Sequence, residues 1–341
     1  MVIIKENISA KDFSTFCIGG TIRYFCTVGN IAELQGAIDF AKEKKVPIII
    51  VGEGSNTIWR SGEHDILAIS LAIKNISVVS ENAEHVVWQV GAGVNWDALV
   101  KKTVAENLWG IECMSGIPGT VGAAPVQNIG AYGQELKDIF VSCEVYDLAE
   151  NQMKTLSYED CKFSYRDSVF KSTQKGRYII LSVQINLSKK QKANVSYESL
   201  QKYFYDRGIV SPALSDIRKA VLEIRSTKLP NPKDIPNCGS FFENPIITLD
   251  SAKKLQEKFP DMKIFPTDKI ECTKIPAGWL IEKAGFKGKQ MGNICVYKNN
   301  ALVLTNTGGA TFDELIQVKN QIIFEVKNMF GVELEMEPNV I

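Results

Sequence analysis

Between Cys113 and Gly133 the chain reads CMSGIPGTVGAAPVQNIGAYG, with glycines at 116, 119, 122, 130 and 133, prolines at 118 and 125, and no charged side chain. Glycines let a main chain take positive φ and bring its N–H groups close to a ligand, as an anion such as a pyrophosphate requires. A buried uncharged loop leaves backbone polar groups in need of partners, which a bound cofactor or a glycine-eased internal connection supplies. A second turn, Gly52-Glu53-Gly54-Ser55-Asn56, follows an apolar run and offers N–H donors where a strand ends. It is neither G-x-G-x-x-G nor a lysine-bearing phosphate loop, and an ordinary hairpin or βα turn explains it equally well. Metal and disulfide chemistry are not indicated. The eight cysteines form no C-x-x-C pair, and His64 and His85 lack ligand spacing. Scattered cysteines of this kind are small core hydrophobes.

These turns need elements to hold them. A chain of 341 residues suggests about two or three domains. Residues 22–28 are strand-like; Asn30 and Glu33 resemble a capping box, and Leu34, Ala37, Ile38 and Ala41 form one helical face up to about Lys44. A strand at 47–51 completes a βαβ start that ends in GEGSN. Short strands follow at 66–72, 76–79 and 85–90, then a glycine turn, a helix at 95–106, and strands at 140–147 and 178–187 with SYRDS (164–168) between them. This region reads as α+β with a mixed sheet. Ile217, Ala220, Val221 and Ile224 mark a helix over 215–226, before the prolines of LPNP (229–232), which mark a domain boundary. Helical patterns near 249–258, 276–283 and 311–330 surround a strand at 301–305, making a smaller α+β unit. Residues 332–337, VELEME, alternate with period two; by itself this is a solvated edge strand.

Lys+Arg and Asp+Glu both number 39, so no net basic field gathers nucleic acid. The first residues, MVIIKENISAKDF, contain neither a secretory apolar region nor a span of about 20 apolar residues, so the expected place is the cytoplasm, without a membrane.

An ordered set of segments runs along the whole chain: TFCI (15–18), GEGSN, GAGVNW (91–96), IPGTVGAAPVQNIGAYG (117–133), FSYRDS, TKLPNPK (227–233), GSFFENP (239–245), AGWLIE (277–282), ALVLTN (301–306) and LEMEP (334–338). In these the chain resembles the UDP-N-acetylenolpyruvoylglucosamine reductase family, flavoenzymes that complete UDP-N-acetylmuramate for peptidoglycan. VSYESL (195–200), with Tyr197, resembles the tyrosine-bearing substrate loop of one of the family's two types. The resemblance implies an α+β fold. Two N-terminal domains, 1–66 and 67–228, form an FAD-binding unit of the PCMH/vanillyl-alcohol-oxidase-like type. A smaller α+β substrate-binding domain covers 229–330, and the strand 331–341 returns near the active site. It implies non-covalent FAD, reduced by NADPH as co-substrate, and UDP-N-acetylglucosamine enolpyruvate as the acceptor of a hydride on carbon 3 and a proton on carbon 2.

By the same resemblance the catalytic residues are Arg166, Ser240 and Glu337. Arg166 and a protonated Glu337 meet charge on the enolate, and Ser240 gives the proton. Without the family, Arg166 is a surface ion-pair former and Ser240 a turn residue. The implied cofactor contacts are Gly52, Glu53, Gly54, Ser55, Asn56, Ile117, Pro118, Gly119, Gly122, Ala123, Gln127 and Gly130, together with Arg166 and Arg225. The implied substrate contacts are Tyr132, Tyr197, Lys228, Asn244, Lys287 and Asn300, with the two lysines as point charges for a diphosphate. The chain departs from the family pattern at Ala123, Ala124, Phe265, Asn300 and Asn339. No metal is implied, and a monomer is expected. The rival readings are a non-catalytic flavin or nucleotide-sugar module, and an oxidase on the same scaffold.

Overall fold

Asn30 accepts the Glu33 N–H at 2.9 Å and starts the helix Ile31–Lys44, which ends at Lys45 in the left-handed region. Its apolar face, Leu34, Ala37, Ile38 and Ala41, is buried against Tyr24, Cys26, Val28, Leu67 and Ile69. The computed structural model, which describes residues 2–190, 195–267 and 269–341, thus begins as the helical periodicity predicts. The strands around that helix are ordered differently from a simple βαβ unit. The four-stranded sheet runs Ile4–Ser9, Thr21–Val28, Glu63–Leu71, Ile48–Val51, so Glu63–Leu71 separates the two strands that flank the helix. It pairs in parallel with Ile48–Val51, from Ile48 opposite Leu67 to Val51 opposite Ser70.

Contacts divide the chain into two units. The first comprises residues 1–8, 22–53 and 64–225; the second comprises 9–21, 54–63 and 226–341. The first unit also holds a five-stranded sheet in the order Gln152–Ser157, Phe140–Asp147, Tyr178–Ser188, His85–Gly91, Ile76–Glu81. All of its pairings are antiparallel, not mixed as the pattern suggested. Short turns join its two outer pairs, which permits antiparallel pairing only. Its inner face packs Trp88, Val90, Cys143, Val183 and Ile185 against Trp96, Leu99 and Val100 of the helix Trp96–Ala105. A smaller core gathers Trp109 and Cys113 with the helices Glu198–Tyr205 and Leu214–Lys228. The first of these helices was unforeseen from VSYESL.

In the second unit, Asn237–Ser240, Val303–Asn306, Ile294–Val296 and Gln290–Met291 make a sheet. The helices Leu249–Lys258, Ala277–Lys283 and Phe312–Phe330 accompany it, the last opened by a Thr311–Glu314 capping box. The tail corrects an expectation. Val332 and Leu334 are buried and Glu333 and Glu335 exposed, as the alternation says, yet 332–337 is no ladder strand and joins its neighbour at a single bridge, Met336 opposite Phe242. That neighbour is irregular, because Gly239 turns to φ +75° and shifts the register between Asn237 and Ser240. Beyond it, Asn339–Val340 pairs in parallel with Thr57–Ile58. Cys26, Cys113, Cys143, Cys161 and Cys238 are buried, and Cys17 is exposed. Among the described residues no helix is long and apolar enough to cross a membrane.

Candidate cofactor and substrate site

In the first unit the central glycine stretch is sewn to its neighbours by its own backbone. Trp96 N–H donates to Gly119 O, Val121 N–H to Val94 O, and Gly122 N–H to Ala92 O, each at 2.9 Å. A Cβ on Gly122 would lie 2.6 Å from the Ala92 Cβ, and one on Gly130 would lie 2.7 Å from Gln134 O. Gly116 N–H donates to Asp97 Oδ1 at 2.6 Å, and Gly119 N–H to Glu53 Oε2 at 2.9 Å. The other Glu53 oxygen accepts from Asn95 Nδ2 at 2.7 Å, while Asn95 caps the helix Trp96–Ala105 by accepting the Ala98 N–H. This revises the reason for the glycines. Several N–H groups expected to face a ligand are used inside the protein, and Gly122 is required by the close approach of Ala92 and Gly130 by that of the Gln134 backbone. Glu53 ties the end of one strand to the glycine stretch. Gly52 approaches Thr120, where a Cβ would meet its Oγ1 at 3.3 Å, and Ala123 closes a short turn through its N–H on Thr120 O. Ile117 lies against the core of the five-stranded sheet. Pro118 and Gln127 belong to the same stretch, and the Asn128 that follows is fully buried.

SYRDS is a tight turn closed by Ser164 N–H to Asp167 O at 3.1 Å and the reciprocal bond at 3.3 Å. Arg166 stands on it with φ 53°, stacks its guanidinium 5.4 Å from the Tyr165 ring centroid, and donates to Gly130 O at 3.0 Å. Ser168 Oγ donates to Val126 O at 2.7 Å, and Asn128 Nδ2 to Ser164 O at 3.1 Å, so the turn is bound to the glycine stretch at three places. Tyr132, at φ 49°, meets Tyr197 edge to face with centroids 5.3 Å apart. Burial pushes the Tyr132 phenol up to about 12, although the positive charge of Arg225 pulls it the other way. Burial likewise lowers the Arg225 guanidinium, opposed by Tyr132 and Asp97. The sequence reading missed Asp97, Arg218 and Asn128. The signal for Arg218 was its place seven residues before Arg225 on one helix.

In the second unit, Gly54 has φ +72°, and a Cβ there would lie 2.1 Å from Phe13 O. Its carbonyl accepts the Thr15 N–H at 3.1 Å. Ser55 and Asn56 follow, the latter accepting the Asn339 N–H at 2.9 Å. Ser240 ends the strand opposite Val303 and is half-buried. The next residue, Phe241, accepts the Glu337 N–H at 3.0 Å, and Glu243 N–H donates to Glu335 O at 2.9 Å. GSFFEN and LEMEP, almost a hundred residues apart, therefore run side by side and bring Ser240 and Glu337 to neighbouring positions. Burial pushes up the Cys238 thiol beside them.

The expected substrate residues of this unit have structural engagements. Asn244 Oδ1 accepts the Ala277 N–H at 3.0 Å at a helix start, and Asn300 Oδ1 accepts the Leu302 N–H at 3.1 Å in a turn. Lys287 pairs with Glu282 at 2.9 Å, and Lys228 is exposed at the end of its helix.

Comparison with known proteins accounts for both units. A profile of the C-terminal domain of UDP-N-acetylenolpyruvoylglucosamine reductase matches residues 231–341, and a profile of an FAD binding domain matches residues 22–157. The UDP-N-acetylenolpyruvoylglucosamine reductase of Flavobacterium johnsoniae is 41% identical over 339 residues, 99% of either chain. That of Pseudomonas fluorescens strain Pf0-1 is 37% identical over 336 residues, 98% of either chain. The crystal structure of the Thermus caldophilus UDP-N-acetylenolpyruvylglucosamine reductase shares the fold, with a TM-score of 0.68 over 100% of this chain and 99% of that one at 21% identity. With relatives this similar along their whole length, the chain belongs to the UDP-N-acetylenolpyruvoylglucosamine reductase family.

Proposed function

We propose that this protein reduces the enolpyruvyl group of UDP-N-acetylglucosamine enolpyruvate to UDP-N-acetylmuramate, a peptidoglycan precursor, with NADPH as reductant and FAD as bound cofactor. The observation that carries the reading is 41% identity to a reductase of this name over 99% of both chains, with an FAD binding domain matched at residues 22–157. When bound, FAD supplies a two-electron carrier between NADPH and the sugar nucleotide.

The residues present fit such a group. Arg225 keeps a half-buried cation beside Gly116, where burial works against its charge, and a bound anion suits such a place. In our reading the cofactor lies along Gly52 to Asn56 and along Ile117 to Gly130, held without a covalent bond. The three-domain division at 66 and 228, with the tail beyond 330 returning to the site, belongs to the same reading. The return of the tail is supported by the Glu337 N–H on Phe241 O.

The reaction adds a hydride to carbon 3 and a proton to carbon 2 of the enolpyruvyl group. Arg166 carries a permanent charge on a tight turn and stabilises the carboxylate-conjugated enolate as it forms. Ser240 Oγ gives the proton to carbon 2. A hydroxyl is a reluctant acid, so this role demands close placement, which the strand end and the paired LEMEP segment support. Glu337, protonated, donates a hydrogen bond at the same centre. Tyr132, Tyr197, Lys228, Asn244, Lys287 and Asn300 hold the nucleotide, diphosphate and sugar. The protein works as a cytoplasmic monomer in this reading, and its balanced charge of 39 basic and 39 acidic residues suits a small-molecule substrate.

The test is NADPH consumption by the yellow FAD-loaded protein with and without the enolpyruvyl sugar nucleotide. Consumption that depends on the sugar nucleotide supports the proposal. Turnover driven by oxygen would make it an oxidase, and a yellow protein that turns over neither would make it a binding module.

A further inference from the structure

Asp97 and Arg218 make a two-pronged ion pair, with Arg218 Nη1 2.6 Å from Oδ1 and Nη2 2.8 Å from Oδ2. Arg218 is well enclosed, with its side chain only 14% exposed. Asp97 Oδ1 also accepts the Gly116 N–H at 2.6 Å, so one carboxylate joins the first turn of the helix Trp96–Ala105, the central glycine stretch and the helix Leu214–Lys228. Burial works to raise the Asp97 carboxyl, but Arg218, the Gly116 N–H and the charge of Arg225 together hold it below the usual carboxylate range. Arg225 stands seven residues beyond Arg218, two turns along the same helix face. It packs on Gly116, where a Cβ would lie 3.2 Å from its Nε and 3.4 Å from its Cδ. The groups that interact with its charge are the Tyr132 phenol and Asp97. Among the described residues it forms no ion pair of its own.

The charges in this cluster do not cancel. Asp97 is negative and both arginines are positive, and the geometry commits Asp97 to Arg218. Were Arg218 absent, Asp97 would be left partly buried without its counter-ion and would turn its field on Arg225. We propose that Arg218 is a positioning residue that engages Asp97 and so leaves Arg225 a net cation beside Gly116, serving the negative charge of bound FAD. This rests on the FAD reading above. FAD carries negative charge in its diphosphate in either redox state and gains charge on the flavin when reduced. Affinity for oxidised FAD reads the first, and the midpoint potential reads the second.

The test measures both quantities in Arg218→Met, Asp97→Asn and the double variant. Arg218→Met removes one positive charge and leaves Asp97 to oppose Arg225. The expected result is about a tenfold loss, in FAD affinity or as about 30 mV of lowered midpoint potential for a two-electron couple. Adding Asp97→Asn removes the exposed negative charge and should restore most of that loss. A purely mechanical tether predicts the reverse, with the double variant no better than Arg218→Met, and that outcome would overturn the proposal, as would an unaltered Arg218→Met. If Arg218→Met does not fold, Asp97→Asn alone decides. Asparagine still accepts from Gly116, so the charge account expects affinity or potential to rise, and a fall in both refutes it. Absence of FAD from the wild-type protein would instead defeat the FAD reading, before any variant is compared.

Discussion

Replacing Gly122 by alanine separates two reasons for a glycine in the central stretch. If the residue is there so that FAD can approach, the variant loses FAD and the apoprotein keeps its stability. If it is there because another backbone approaches, the apoprotein itself is destabilised. A Cβ on Gly122 lies 2.6 Å from the Ala92 Cβ and 3.2 Å from the Ala92 Cα and O. Ordinary contact begins near 3.4 Å, so the two segments must part by roughly 1 Å, and the Gly122 N–H bond to Ala92 O, now 2.9 Å, stretches with them. Overpacking of this kind costs about 1–3 kcal/mol and a weakened hydrogen bond about 0.5–1.5 kcal/mol. Gly122 has no positive φ, so alanine also recovers about 0.4–1 kcal/mol by restricting the unfolded chain. The net expectation is a loss of about 0.5–4 kcal/mol. Urea unfolding of the apoprotein measures it, with Gly52→Ala as the control. There the Cβ meets the Thr120 hydroxyl at 3.3 Å and the Ala123 Cβ at an ordinary 3.8 Å, and the cost should stay under about 1 kcal/mol. An apoprotein with Gly122→Ala as stable as wild type would refute the packing argument.

Ser240→Ala should leave FAD binding and reduction by NADPH intact, and slow oxidation of the reduced flavin by the sugar nucleotide by about two to four orders of magnitude, with Ser240→Cys recovering part of the rate. Equal and small effects of both variants in stopped flow would assign the proton to another donor. Lys228→Ala and Tyr197→Phe should raise KM with little change in kcat, since contacts made equally in ground and transition states are uniform binding. A loss of NADPH reduction in Tyr197→Phe would mean that the Tyr132–Tyr197 contact organises the flavin site instead. The Asp147 carboxyl is held far below its usual range by Arg177, against burial, with Lys154 and the N–H groups of Ala149 and Glu150 assisting. Because the folded pKa is depressed, its stabilisation is full above about pH 4 and is lost as pH falls through the folded value. The urea midpoint of wild type should therefore exceed that of Asp147→Asn at neutral pH and approach it in acid; an advantage that grew with acidity would contradict this.

Local signals in the sequence decided what depends on neighbours within a few residues. The Asn30 and Thr311 caps, the buried face of Ile31–Lys44 and the helix that precedes LPNP follow from side-chain chemistry and a period near 3.6, which act without the rest of the fold. The ordered family segments likewise placed Arg166, Ser240 and Glu337 as candidates, since motif order is itself a sequence property. Strand order was not legible. Nothing local to Ile48–Val51 says that Glu63–Leu71, and not Thr21–Val28, lies beside it, because pairing partners are chosen by long-range burial. The glycines show the same limit. Their positions were plain, but whether the space beside Gly122 belongs to a ligand or to Ala92 depends on a backbone about thirty residues away. Asp97 and Arg218 look like ordinary surface charges until two helices and Gly116 converge on them. Only the tertiary structure joined the GSFFEN and LEMEP segments, because the Glu337 N–H and the Phe241 carbonyl satisfy each other across a separation in sequence that no local pattern spans.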